Sequence, residues 1–144
     1  MKLKQVKGRK ATGLFIVEGE HLVEEAIKAH WASVLLVKEG FTYPSTLEQY
    51  SLSEDLFDAL CTTVSKDTIL AICKKQVVEV KGDHILICDD IQDPGNMGTM
   101  LRTAYSFGFN HVYCSKHCVD VYNDKVVRAS QGALFYLNIK QDFN

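Results

Sequence analysis

The chain has 144 residues, 47% of them apolar and 24% charged, a balance that suits a folded chain with one ordinary domain or two small ones. Its net charge of −2 gives no global signal for nucleic acid, and no apolar run is long enough to span a bilayer. Five cysteines, an odd number with no signal peptide and three of them in apolar runs, point to a reducing cytoplasm and thiols used as small core residues.

In chain order, the first ten residues hold Lys2, Lys4, Lys7, Arg9 and Lys10 with no acid among them. Such an arm suits phosphate contact, against the plainer reading of a solvated, partly frayed terminus. Leu14 to Val17 reads as a strand. Glu20–His30 reads as a helix, because Leu22, Val23, Ala26 and Ile27 recur at helical spacing. Ser33–Lys38 reads as a buried strand, and a short helix is expected around Ser45–Tyr50. Ser53 is an expected N-cap, with Leu56, Phe57 and Leu60 as the apolar face of its helix. Ile69–Cys73 and Val77–Val80 read as strands. The first part is thus a small alternating α/β unit, and Lys81-Gly82-Asp83 is the expected boundary.

Beyond it, His84–Cys88 is a near-continuous apolar run that suits a central parallel strand covered on both faces. A helix is expected from Asn96 to Phe107, with Met97, Met100, Leu101, Ala104 and Phe107 as its stripe and Gly108 as its stop. His111–Cys114, Lys125–Ser130 and Leu134–Ile139 read as strand, helix and strand, which together imply a parallel α/β sheet. His111, Cys114, His117 and Cys118 are all able to bind zinc. They crowd one short stretch rather than two separated pairs, so thiols and surface imidazoles are expected there rather than a metal.

The segment from Asp89 to Gly98 joins a strand's C-terminal end to a helix, the place where open α/β sheets bind ligands. Asn96 is placed to cap the helix, and Gly98 permits close approach of another backbone or a ligand. Arg102 lies one turn beyond Gly98, off the apolar stripe, and can hold a phosphate or a developing negative charge. The plain alternative makes Asn96 only a cap and Arg102 a salt-bridge partner of Asp90 or Asp93. The loop is neither a P-loop nor a dinucleotide fingerprint.

The stretch Asp93-Pro-Gly-Asn96-Met-Gly98-Thr-Met-Leu-Arg102-Thr-Ala104 closely resembles the first signature of the SpoU (TrmH-like) family of SPOUT-class RNA 2′-O-ribose methyltransferases. Lys125-Val-Val-Arg128-Ala-Ser130-Gln-Gly132-Ala-Leu-Phe135 is similar to the next segment of that catalytic domain. Lys7 through Ala26 is similar to its ribosomal-protein-L30e-like substrate-binding domain.

The resemblance implies an L30e-like RNA-binding domain over residues 1–80. Residues 83–144 would be the first part of a parallel-sheet methyltransferase domain, its knot region missing. It implies methyl transfer from S-adenosylmethionine to a ribose 2′-hydroxyl, in ribosomal RNA before transfer RNA, by a cytoplasmic homodimer. Arg102 would be the catalytic arginine, with Asn96 shaping the site. Lys4, Lys7, Arg9, Lys10, Arg128 and Ser130 would contact RNA. For Arg128 and Ser130 the competing reading is a surface cation, or a pair across a dimer interface, and a helix-end hydroxyl. Glu18 and Trp31 are assigned to the first domain's fold. The family's second and third signatures are not in this sequence. No cofactor-binding residue is carried over, the chain reads as truncated, and the 144 residues are expected to fold without methylating. The alternative function is a non-catalytic RNA-binding or dimerisation module.

Overall fold

A computed structural model describes residues 2–64 and 66–144. The chain divides into two compact units, Met1–Lys75 and Gln76–Asn144.

The first unit opens on a 3-10 turn, Lys2–Lys4, and helix α1, Val6–Thr12. Gly8 is required here: a Cβ on it would sit 1.9 Å from the carbonyl oxygen of Lys2. Four strands follow in the sheet order β1-β4-β2-β3: β1 Leu14–Glu18, β2 Ala32–Lys38, β3 Glu48–Leu52 and β4 Ile69–Lys74. β4 runs antiparallel to β1 and β2, while β3 runs parallel to β2. Helix α2, Glu20–Lys28, buries Leu22, Val23 and Ala26. Helix α3, Glu54–Leu60, buries Phe57 against Leu36 and Leu70, with Ile16, Val34 and Ile72 around them. Alternate residues of β1, β2 and β4 thus feed different cores. Trp31 is buried and meets Phe15 edge to face, 5.9 Å between ring centroids. Glu18 is buried and accepts hydrogen bonds from the Thr62 amide at 3.1 Å, the Thr62 hydroxyl at 2.9 Å and the Thr63 hydroxyl at 2.8 Å. It ties the loop after α3 to the end of β1, which is a structural role.

Two expected elements before residue 85 are not formed. The helix expected around Ser45–Tyr50 is β3, pairing from Val34↔Glu48 to Lys38↔Leu52. It is a polar edge strand, recruited by its neighbour, and the Gln49 side chain bonds both backbone groups of Tyr43. Residues 75–84 carry no regular structure, so Val77–Val80 is not a strand. Leu56 of the expected α3 face is half exposed.

The second unit is a parallel sheet of order β5-β6-β7: β5 Ile85–Cys88, β6 His111–Ser115 and β7 Asn138–Phe143. Helix α4, Pro94–Ser106, follows β5, and helix α5, Asp124–Ala129, follows β6. Met97, Gly98, Leu101 and Ala104 form the buried face of α4. Phe107 lies past the helix and is 77% exposed. β5 is an edge strand in this sheet, not a covered central one, and Ile87 on it is 64% exposed. The strand expected over Leu134–Ile139 begins only at Asn138. Ala133–Tyr136 is a 3-10 turn that buries the consecutive residues Ala133, Leu134 and Phe135, which an alternating strand cannot do.

Candidate functional site

The site is assembled from the β5–α4 loop, the first turns of α4 and the end of α5. Asp93 caps α4: its Oδ2 accepts the Asn96 N–H at 2.7 Å, and Pro94 occupies the first turn. The cap expected of Asn96 is therefore Asp93, three residues earlier, where an acid also suits the helix dipole. This leaves the Asn96 side chain exposed at the first turn.

Because the helix starts at Pro94, Arg102 stands eight residues inside it, about 12 Å along the axis. It is two turns from the positive end. It is exposed, and among the described residues it forms no ion pair, so the alternative pairing with Asp90 or Asp93 is not made. Beyond the helix ladder, the Arg102 carbonyl accepts the Ser106 hydroxyl at 2.9 Å.

Gly98 decides where α5 lies. A Cβ there would come within 2.4 Å of the Ala129 Cβ and 2.9 Å of the Ala129 carbonyl carbon and the Ser130 nitrogen. The close approach expected of Gly98 is thus to another helix rather than to a ligand. This contact brings Gly98, one turn before Arg102, against Ala129 and Ser130, 31 and 32 residues further along the sequence. Arg128 is half-buried. Ser130 is fully buried and donates its hydroxyl to the Val127 carbonyl at 2.8 Å, so its hydroxyl is already engaged within α5.

Asp90, in the loop before α4, has φ 53°, and Gln131, just after α5, has φ 52°, two non-glycine residues in the left-handed region. Sequence reasoning missed both: aspartate is enriched in that region without marking which aspartate adopts it, and glutamine gives no such signal. It also gave no role to Ser115, whose hydroxyl accepts the Asp90 N–H at 3.0 Å, and none to Cys118 beyond a loop thiol. Beneath the loop, Cys88 and Cys114 are register partners on β5 and β6 and both are buried. The hydrogen bond to Cys88, with burial, holds the Cys114 thiol far above the usual range.

In the first unit, Lys2, Lys4, Lys7 and Lys10 are exposed, but Arg9 is 2% exposed and donates to the Leu3 carbonyl at 3.0 Å. Lys4 donates to the carbonyls of Ala59 at 2.7 Å and Cys61 at 3.2 Å, capping the end of α3. Much of the expected arm is folded structure. His111 bonds the Gly82 carbonyl through Nε2 at 3.0 Å and Asn138 through Nδ1 at 3.2 Å. Among the described residues no group of His, Cys, Asp or Glu is arranged to hold a metal, and no helix is long and apolar enough to cross a membrane.

Residues 83–143 match the SpoU rRNA Methylase family, and residues 1–79 match the MRM3-like substrate binding domain. The chain belongs to the SpoU rRNA methylase family. It is 39% identical to the 23S rRNA (guanosine(2553)-2'-O)-methyltransferase RlmP of Bacillus subtilis over 96% of its own length, and spans 58% of that relative. An RNA 2'-O ribose methyltransferase of known structure superposes with a TM-score of 0.76 at 26% identity, over 97% of this chain and 59% of the other. The SpoU methyltransferase AviRb of Streptomyces viridochromogenes, solved with AdoMet, superposes at 0.79 and 24% identity, over 97% of this chain and 58% of AviRb. The last likeness shows the fold alone.

The cavity beside α4 does not by itself fit the methyl donor. It has a volume near 300 Å³ and is lined by Leu86, Thr99, Met100, Thr103, Ala104, Phe107 and Phe109. That lining has two hydroxyls and no charged group to receive the amino acid head and ribose of S-adenosylmethionine.

Proposed function

We propose that this chain carries the RNA-binding unit and the RNA-facing half of the active site of an rRNA 2′-O-ribose methyltransferase that uses S-adenosylmethionine. The observation that carries the reading is Arg102. It is an exposed guanidinium without an ion pair among the described residues, on a helix locked against α5 through Gly98. A ribose hydroxyl is a poor nucleophile at neutral pH, so it must be positioned and its developing charge stabilised. Arg102 supplies a fixed positive charge that can grip the neighbouring phosphate bidentately. Asn96 lines the same helix nearer its N-terminus. In this reading residues 1–80 hold the RNA, with Lys7 and Lys10 on the outer surface of α1, and Arg128 adds a cation from the end of α5. The donor supplies the methyl group. It is bound by a part of the relatives' length that this chain does not span, and the complete enzyme acts as a homodimer in the reducing cytoplasm that five unbridged thiols suit.

The test is binding of a ribosomal RNA fragment across a salt series. Arg102→Ala should weaken binding and flatten the slope of log affinity against log salt by about 0.7–0.9, the loss of one phosphate contact. Affinity and slope unchanged by that substitution would sink the reading. The chain by itself should not transfer a methyl group from S-adenosylmethionine, and clear turnover would overturn the assignment of the donor site to other residues.

A further inference from the structure

The end of β5 and the loop after it are tied to the end of β6 and the turn beyond by four hydrogen bonds, three of them through the side chains of Ser115 and Cys118. The Ser115 Oγ accepts the Asp90 N–H at 3.0 Å. The Cys118 Sγ accepts the Ile91 N–H at 3.3 Å and donates its own proton to the Cys88 carbonyl at 3.3 Å. The Val119 N–H donates to the Ile91 carbonyl at 2.9 Å, and Ser115 and Cys118 touch at 3.7 Å. Asp90, the residue with φ 53°, sits between these ties. Aspartate enters this left-handed region more readily than most L residues, and here the flanking hydrogen bonds hold it there. Two residues after Ile91 comes Asp93, whose cap sets the first turn of α4 and the exposed side chain of Asn96.

We infer that Ser115 and Cys118 are positioning residues of the RNA site: together they hold the Asp89–Asp93 loop, and through it Asp93 and Asn96, against the end of β6. The inference rests on the proposed RNA function and names the residues that keep that site in shape. Neither is a catalytic residue, since each acts on backbone groups of the loop. The thiol suits the post because one side chain serves the last carbonyl of β5 and the next loop amide at once. Serine has the same one donor and one acceptor. Alanine has neither and orphans both backbone groups.

The experiment uses the 144-residue chain and a ribosomal RNA fragment. Cys118→Ala should speed hydrogen exchange of the Ile91 amide, and Ser115→Ala that of Asp90, by about fivefold or more. The amides of Val112 and Cys114 should keep their protection and so report an intact sheet. Cys118→Ala should also weaken RNA binding, Cys118→Ser should restore it, and the loss should vanish in an Asn96→Ala background because both changes act through one turn. Unchanged exchange at both amides overturns the inference, as does an RNA loss that simply adds to that of Asn96→Ala. Affinity that responds to Arg102→Ala but not to Cys118→Ala overturns the positioning role alone. Affinity indifferent to Arg102, Asn96 and Cys118 alike overturns the proposed function and the positioning role together.

Discussion

Replacing Gly98 by alanine tests the packing that brings Arg102 to the α5 end. In an exposed helix the change should stabilise, because alanine is favoured over glycine by about 1 kcal/mol in a helix interior. Here the added Cβ meets the Ala129 Cβ at 2.4 Å and two backbone atoms at 2.9 Å. Real Cβ atoms do not approach that closely, and backbone atoms in a helix cannot swing aside as a long side chain can. Overpacking of this kind costs about 1–3 kcal/mol, and the backbone contacts put this case at the upper end. Subtracting the propensity gain leaves a net loss of about 2 kcal/mol. With a urea m-value of about 1 kcal/mol/M for a small unit, the unfolding midpoint of the second unit should fall by about 2 M. Ala129→Gly in the same chain should recover only part of the loss, since it removes the Cβ contact and leaves the backbone ones. A Gly98→Ala protein as stable as the parent, or more so, would refute the close α4–α5 contact. The packing of the α4 turn before Arg102 against Ala129 and Ser130 would fall with it.

In the first unit, Phe57→Ala should cost about 3–5 kcal/mol by urea unfolding, because Phe57 is fully buried against Leu36 and Leu70. A loss under about 1 kcal/mol would contradict a core on the α3 side of the sheet. Glu18→Ala should release the 62–63 loop and cost about 2–3 kcal/mol, as a buried carboxylate with three donors is removed. Limited proteolysis that finds this loop no more open would argue against the tie. Burial pushes the Cys73 thiol up to about 12 from its ordinary 9.0. A pKa raised in the folded state means the unfolded chain releases its proton first, so this contribution is intact below pH 9 and is lost as pH climbs towards 12. The alkaline fall in stability over that window should be shallower in Cys73→Ala, read from unfolding midpoints at each pH, and an identical fall would show that Cys73 is not buried as described.

What could be read without the fold was whatever depends on neighbours along the chain. The stripe Met97, Leu101 and Ala104, the Ser53 cap and the apolar strands at Leu14, Val34 and Ile69 carry their own periodicity, and the structure keeps them. The resemblance to the SpoU family likewise rested on contiguous segments, and residues 83–143 and 1–79 match on that account. Other features were decided only in three dimensions. β3 is polar and becomes a strand because β2 offers it an edge. Arg9 and Ser130 have the chemistry of phosphate ligands, but packing gives them other work. The ties from Ser115 and Cys118 that hold Asp90 and its loop span 25 to 30 residues of sequence. Local sequence determined which residues could serve an RNA site on α4. Tertiary packing decided which remain available, because burial and hydrogen bonding consume polar groups by position in space and not by residue type.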